Sequence, residues 1–411
     1  MTVVLESLED AAALLRPGVT AFIHGTATEP REFVAKLAEK GALEGVHLIT
    51  SFIPGINTEP LADSGARLTT FMAQPALADG IARGHVEALR LHYGKLPGWI
   101  AALESLDVAF VRGRRLPDGR VATGITGELI SAACARADTV CVFDDPAMPL
   151  PERGITIDAP DTVVVAPGPL IEYRGGDRID DVAGTIAANV ATLVDDGATL
   201  QSGLGVVPTA VFTALTQRRN LRVFSGMISD AVMALADAGA LDAEVEHVCG
   251  MALGTHALYN WLDGRERFRV VGCEDSHNSE RMRVLPKFTA INSAVEVGLD
   301  GSVNAELLGA RAISGPGGLP DYAAGAANSP GGKSIIALPA ANEKRGISRI
   351  VPRVRNADAP TVTGEYVTHV VTQFGVAEIA GVDAAERARR LIAVADPAHR
   401  ESLSEEAALS H

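Results

Sequence analysis

Two open α/β domains of related topology, with mostly parallel sheets, are predicted by three features of this sequence. The chain has 411 residues, more than one ordinary domain holds. Short apolar runs alternate with amphipathic stretches along its length, the pattern of strand and helix in turn. Two segments, one in each half, also carry the same elements in the same order.

The first of these segments is LEDAAALLRPGVTAFIHGTATEPREFVAKLAEKG followed by VHLITSF, and the second is IAANVATLVDDGATLQSGLGVVPTAVFTALTQRRN followed by LRVFSGM. Each reads as helix, glycine, short apolar strand, glycine-containing turn, proline, helix and strand. Gly18 and Gly197 are expected to end the first helix of each segment. Pro30 and Pro208 are expected just inside the second, where a missing N–H does no harm. The repeat divides the chain into residues 1–180 and 181–411.

The remaining strands follow in order. LDVAFVRG, TVCVFDD and TVVVAPG lie in the first half; FRVVGCE, AINSAVEVGLDG, SIIALPA, SRIVPRV and THVVTQFG lie in the second. Helical stretches such as ITGELISAACARA and GVDAAERARRLIAVA stand among them. Residues 290–310 are expected to form an antiparallel or mixed part of the sheet. The closing SEEAALSH is expected to fray. In open parallel sheets, ligands bind beyond the strand C-termini, where the glycine turns gather.

Composition narrows the function. Hydrophobic residues make up 47% of the chain and charged ones 21%, enough apolar material for large cores and against disorder. A net charge of -15 and the absence of a Lys/Arg cluster argue against nucleic acid as a partner. The doublets Arg114-Arg115 and Arg218-Arg219 read as solvated surface. The four cysteines, Cys134, Cys141, Cys249 and Cys273, form no CxxC pair, so no zinc site or redox dithiol is expected, and no metal. Neither a signal peptide nor a membrane-length apolar run is visible, so a cytoplasmic protein away from membranes is expected.

Three glycine-rich turns can meet a ligand. Gly203, Leu204 and Gly205 follow the strand ATL and precede the helix of Pro208. Such a turn presents backbone N–H groups to an anion or carbonyl oxygen. It lacks the third glycine of a dinucleotide fingerprint, which argues against a nicotinamide cofactor. Gly315, Gly317 and Gly318 stand in SGPGGLPDY, where the backbone takes an unusual path. Lys333 closes the third turn, SPGGK, where it meets a phosphate or covers the start of the next strand.

LVDDGATLQSGLGVVP, AINSAVEVGLDGSVNAE, SGPGGLPDY, GGKSIIALPA, SRIVP and THVVTQFGVAEIAG occur together in one order. Over residues 181–400 the chain thereby resembles the acetyl-CoA hydrolase/transferase family, which includes 4-hydroxybutyrate CoA-transferase-like proteins. The first half resembles it more faintly, with Arg-Leu-Pro-Asp (115–118) in place of the family's Ser-Pro-Pro-Asp. The resemblance implies coenzyme A, carried as acyl-CoA, as the substrate, a carboxylic acid as the acceptor in transfer, and a homodimer or higher homo-oligomer. It places the loop of Gly315, Gly317 and Gly318 beside the thioester, where backbone N–H groups would stabilise an oxyanion.

The family's nucleophile is a glutamate at the end of the strand that follows the GxG helix. The matching stretch reads Ser225-Gly226-Met227-Ile228-Ser229-Asp230, which puts Gly226 at the glutamate position; glycine cannot form the covalent intermediate. Nearby, His277 takes the place of an asparagine that helps hold the oxyanion, or Asn278 does with a one-residue shift. A histidine there can serve as general base for a water, or be a partner in a surface turn. Gln373 stands where the family carries a glutamate. Asp230, a helical turn beyond Gly226, and Glu306 are the other acids that could stand in, although Asp230 reads more simply as a helix N-terminal residue.

The leading expectation is hydrolytic cleavage of an acyl-CoA, with Gly226 leaving room for water or a bulkier substrate. CoA transfer between carboxylic acids by a relocated carboxylate is the alternative, and a non-catalytic acyl-CoA-binding protein the next. A sugar-phosphate isomerase of similar topology lacks support from the glycine motifs.

Overall fold

The computed structural model describes residues 2–39, 43–59, 61–175 and 178–409. They form two compact units, one of residues 2–173, 246–276 and 312–317, the other of residues 174–245, 277–311 and 318 onward.

The first unit is built on eight parallel strands: β1 (Val3–Leu5), β2 (Thr20–Ile23), β3 (His47–Thr50), β4 (Arg67–Thr70), β5 (Val86–Ala88), β6 (Val108–Arg115), β7 (Thr139–Asp144) and β8 (Thr162–Val165). Their order across the sheet is β1-β8-β7-β6-β2-β3-β4-β5. The chain winds outward from β2 through β5, then returns to the other side of β2 and winds outward through β8. The switch point of the sheet therefore lies between β2 and β6. Alternate residues of β2 enter different cores. Ala21 and Ile23 join Phe33, Phe110 and Phe143, while Phe22 joins Ile49, Phe71 and Ile100. Burial on both faces is why these strands read as continuous apolar runs.

The second unit carries β9 (Thr199–Ser202), β10 (Arg222–Ile228), β11 (Phe288–Asn292), β12 (Lys333–Ala337), β13 (His369–Thr372) and β14 (Gly375–Glu378). Neighbours run β9 with β10, and β9-β11-β12-β13, all parallel, with β14 antiparallel at the edge. Here the switch point lies between β9 and β11. As expected for residues 290–310, a small mixed sheet forms: 296–298 pairs antiparallel with 303–304 and parallel with 350–351. The expected fraying at SEEAALSH is not seen in its described part, because Ser404 to Leu409 continue the helix Arg400–Leu409; residues 410 and 411 lie outside the described residues.

The repeat holds in three dimensions. Its elements are the helix Leu8–Ala12, β2, the helix Arg31–Leu37 and β3, matched by the helix Asp181–Ala191, β9, the helix Val206–Ala214 and β10. Asp180 caps the second copy, its carboxylate accepting the Ala183 N–H at 2.8 Å. The two glycines differ from expectation. The helices stop at Ala13 and Thr192. Gly18 and Gly197 sit in the turns that enter β2 and β9, with φ of +93° and +74°. The left-handed turn before the strand, not the helix cap, requires glycine there.

A pair of substitutions separates the two uses of glycine. A Cβ on Gly184, inside the helix Asp181–Ala191, meets nothing within 4 Å. Gly184→Ala is expected to raise stability by about 0.5–1 kcal/mol, and Gly197→Ala to lower it by about 1–2 kcal/mol. Urea midpoints of the two variants against wild type check both signs.

Candidate active site

In the second unit the ends of β9, β10 and β11 bring the sequence-predicted residues together. The turn Gly203–Gly205 leaves β9 at the switch point. Gly203 donates its N–H to the Ile291 carbonyl at 3.0 Å, and a Cβ on it would lie 2.9 Å from Oδ1 of Asn292. Asn292 and Gln201 exchange side-chain hydrogen bonds of 2.8 and 3.2 Å, which fix the end of β11 against β9. Gly205, at φ +116°, begins the helix Val206–Ala214, with open space where a side chain would stand. Next to it in the sheet, the Ser225 hydroxyl donates to the Ser202 carbonyl, so Gly226 lies alongside the glycine turn.

Gly226 is filled from outside. A Cβ on it would lie 2.8 and 2.9 Å from Cε1 and Nε2 of His277 and 3.0 Å from the Tyr322 hydroxyl. The expectation that glycine leaves room for a water at this point is corrected by the structure: an imidazole and a phenol occupy it. Gly318 completes the arrangement, since a Cβ there would overlap the same imidazole. Two glycines thus make the slot for one histidine. His277 is only 6% exposed, and its ring lies 4.9 Å from that of Tyr322 at 56°. Tyr322 is backed by Phe288 at 6.3 Å, and Phe288 by Phe224 at 6.1 Å. Tyr322 comes from the helix Leu319–Ala327, which starts at Gly318. The sequence holds this tyrosine inside a glycine motif, but nothing in the pattern says that its hydroxyl meets Gly226.

The other sequence-predicted residues are placed as follows. Asn278 is the N-cap of the short helix Ser279–Met282, and its Oδ1 accepts the N–H groups of Glu280 and Arg281 at 3.0 and 3.2 Å. Asp230 stands at the N-cap position of the helix Ala231–Asp237. Glu306 is buried beside the small mixed sheet, where its carboxylate accepts the Thr361 hydroxyl at 2.8 Å. Gln373 accepts the Ala340 N–H at 2.9 Å. Lys333, at the start of β12, pairs with Asp195 at 3.0 Å. The exposed Leu204 forms the tip of the first glycine turn.

Gly315 and Gly317 belong to the first unit. A side chain on Gly315 would run into the Phe71 carbonyl, and the Gly317 carbonyl accepts the Tyr93 N–H at 2.9 Å. All four cysteines are free, with Cys141, Cys249 and Cys273 buried. Burial pushes the Cys249 thiol up to about 12 and the Cys141 thiol to about 11, so neither is a thiolate nucleophile near neutrality. Among the described residues, no group of three or more His, Cys, Asp or Glu side chains could hold a metal. No described helix is long and apolar enough to cross a membrane.

Two doubly wound units with glycine turns at their switch points define the class: the fold is that of the CoA-transferases. The solved structure of 4-hydroxybutyrate CoA-transferase from Porphyromonas gingivalis superposes with a TM-score of 0.81 at 25% identity, covering 100% of this chain and 98% of that one. Residues 254–407 match the family model of the acetyl-CoA hydrolase/transferase C-terminal domain. The 4-hydroxybutyrate coenzyme A transferase of Clostridium kluyveri is 35% identical over 311 residues, 73% of this chain and 72% of the relative. The succinyl-CoA:acetate/propanoyl-CoA:succinate CoA transferase of Fasciola hepatica is 30% identical over 418 residues, 97% of this chain and 86% of the relative. An acetyl-CoA hydrolase of Kluyveromyces lactis is 31% identical over 198 residues, 47% of this chain and 37% of the relative. The chain belongs to the acetyl-CoA hydrolase/transferase family.

Proposed function

We propose that this protein cleaves an acyl-CoA by hydrolysis, with His277 as the general base that activates water. The observation that carries this reading is the filling of the Gly226 position by the His277 imidazole and the Tyr322 hydroxyl. Neither group can form the anhydride and thioester that a carboxylate nucleophile forms. An imidazole can take a proton from water as it attacks a thioester carbonyl, and the phenol beside it can orient that water. Backbone N–H groups at Leu204, Gly205 and Gly318 of the second unit are proposed to receive the thioester oxygen and the phosphates of coenzyme A, the Gly203 N–H being committed to the Ile291 carbonyl. Lys333 is offered as a phosphate partner once it leaves Asp195. Asn278 spends its carbonyl oxygen on a helix cap.

Thiol release from a panel of acyl-CoA thioesters, with and without acetate or succinate, tests the reading. Release without acceptor is expected, and His277→Ala is expected to lower kcat by about 100-fold or more. Exchange that needs the acceptor and liberates no thiol would establish CoA transfer by another carboxylate, and the hydrolytic reading would be abandoned.

A further inference from the structure

The motif SRIVP lies in the second unit and takes no part in the proposed chemistry. Its Arg349 stands at the bend between the strand residues Ile347–Ser348 and Ile350–Val351. Backbone bonds fix this bend over the carboxyl edge of the sheet. The Arg349 N–H binds the Ala340 carbonyl at 2.8 Å, and the Arg349 carbonyl accepts the Val297 N–H at 2.8 Å. Ala340 lies just past the end of β12, and its own N–H binds the side chain of Gln373, the residue after β13. The Arg349 guanidinium reaches the Ala294 carbonyl, just past the end of β11, at 3.5 Å through Nη1. Arg349 therefore stands beyond the carboxyl ends of β11, β12 and β13, in the unit whose switch point lies between β9 and β11. Ligands of open parallel sheets bind along this edge.

The charge of Arg349 is uncompensated. A guanidinium carries five N–H donors, and this one makes a single long hydrogen bond, to a neutral carbonyl. Among the described residues no carboxylate lies within ion-pair distance of it. The arginines that follow are paired: Arg353 meets Asp358 at 3.0 Å, and Arg355 lies 3.8 Å from Glu296. Glu296, on the strand beside the bend, is already engaged. It accepts the Asn304 amide at 3.1 Å and the Arg355 N–H at 2.7 Å. Burial lowers the Arg349 pKa, and no opposing charge raises it. Desolvated arginines are paired as a rule, because a charge taken from water without a partner is costly.

The unbonded donors are within reach of a ligand. Arg349 is half-buried. Its Nε and Nη2 have no partner in the protein and, unlike Nε of Arg112 and Arg222, are not shut off from solvent. These two atoms are the pair whose N–H bonds run parallel along one side of a guanidinium, the arrangement that takes two oxygens of one anion. The hairpin that leads into the bend adds to the positive field. Residues 341–342 pair antiparallel with 347–348, and Lys344 and Arg345 stand exposed in the turn, neither with an ion pair among the described residues. The run from Glu343 to Arg349 holds three cations and one carboxylate, in a chain of net charge -15.

We infer that Arg349 receives an oxyanion of the acyl-CoA on its parallel Nε–H and Nη2–H groups. The inference rests on acyl-CoA as the ligand and not on which reaction follows. Two parts of that ligand have the chemistry, a carboxylate that ends the acyl chain and a phosphate of coenzyme A. Either brings the charge that the fold itself does not supply.

Binding to the full chain is measured by calorimetry with two thioethers that cannot be cleaved, S-propyl-coenzyme A and S-(2-carboxyethyl)-coenzyme A. Arg349→Met is expected to weaken at least one of them by about 10–100-fold. A loss confined to the carboxyethyl compound assigns the carboxylate of the acyl chain, and an equal loss in both assigns a phosphate. Arg349→Lys keeps the charge without the parallel donors and is expected to recover only part of the affinity. Stability without ligand is the second readout. Removal of an uncompensated charge is expected to raise the urea midpoint of Arg349→Met, whereas removal of a merely structural residue lowers it. Unchanged affinity for both thioethers, or a lowered midpoint, overturns the inference. A wild type that binds neither thioether overturns it together with the acyl-CoA reading. A wild type whose binding depends on Arg349, but which releases no thiol from the matching thioesters, overturns hydrolysis alone and leaves Arg349 in its role.

Discussion

Gly226→Glu is expected to destabilise the protein by about 3 kcal/mol, and to do so through His277. The new Cβ would stand 2.8 to 3.0 Å from the imidazole and the Tyr322 hydroxyl, inside the distance that real side chains keep. Overpacking of a filled core costs about 1–3 kcal/mol, and a carboxylate brought into the same slot adds a desolvation term. His277→Ala removes the obstruction. In the double variant Gly226→Glu/His277→Ala the glutamate has the space that the ring gave up. Its stability is expected within about 1 kcal/mol of His277→Ala alone, which makes the two changes strongly non-additive. Urea unfolding of the four proteins closes the cycle. If the resemblance places the family's glutamate at position 226, the same double variant is the one expected to show acceptor-dependent CoA exchange, because there a carboxylate has room in the slot. Equal destabilisation by Gly226→Glu with and without His277 would show that the two residues do not share the slot.

Glu128→Gln is expected to alter the dependence of stability on pH. Burial pushes the Glu128 carboxyl up to about 7 in the folded protein, against an ordinary value of 4.5. Between those values the folded state holds a proton that the unfolded chain has released. Stability from this group is therefore complete below pH 4.5 and is lost as pH rises through about 7. The loss is roughly 3 kcal/mol. Glu29, pushed up to about 7 by burial against a favourable hydrogen bond from Asn57, adds a loss of the same sign. His24 acts the other way. Its imidazole is held down to about 3 by burial, so its contribution is complete above pH 6.5 and is lost as pH falls toward 3. In wild type these slopes partly cancel between pH 4.5 and 6.5. The variant separates them, since glutamine does not titrate. Relative to wild type, Glu128→Gln is expected to gain roughly 3 kcal/mol at pH 8 over its value at pH 4, measured by denaturant unfolding at each pH. An unchanged difference across that range would mean that Glu128 is ionised without penalty.

Much of the second unit was legible from sequence because its signals are local. The run ATLQSGLGVVP specifies a strand end, a turn at positive φ and a helix start within eleven residues. The repeat was legible for the same reason, even though Gly18 and Gly197 turned out to open strands rather than close helices. Glycine marks a left-handed residue wherever it falls, and the pattern alone does not say which element the turn serves. His277 and Gly226 stood out in the resemblance to the family, which implies an asparagine at one position and a glutamate at the other.

The contacts that give those departures their meaning were not legible. Residues 226, 277, 318 and 322 come from a strand, a connecting segment and the start of a helix, up to 96 positions apart in the chain. The glycine at 226 read as an opening until the fold placed a ring over it. Arg349 was legible only as part of the SRIVP motif, because the sequence does not say which carboxylates the fold brings within its reach.

The sequence by itself determined the α/β class, the repeated strand-turn-helix units, the position of the glycine turns and the family, because hydrophobic period, turn chemistry and motif order are properties of neighbouring residues. Only the tertiary structure decided that the Gly226 position is occupied by His277 and Tyr322, and that Arg349 stands beyond the strand ends with no carboxylate partner among the described residues. Strand order across a parallel sheet is set by crossovers and by burial on both faces, and residues distant in the chain become neighbours only when that order is made.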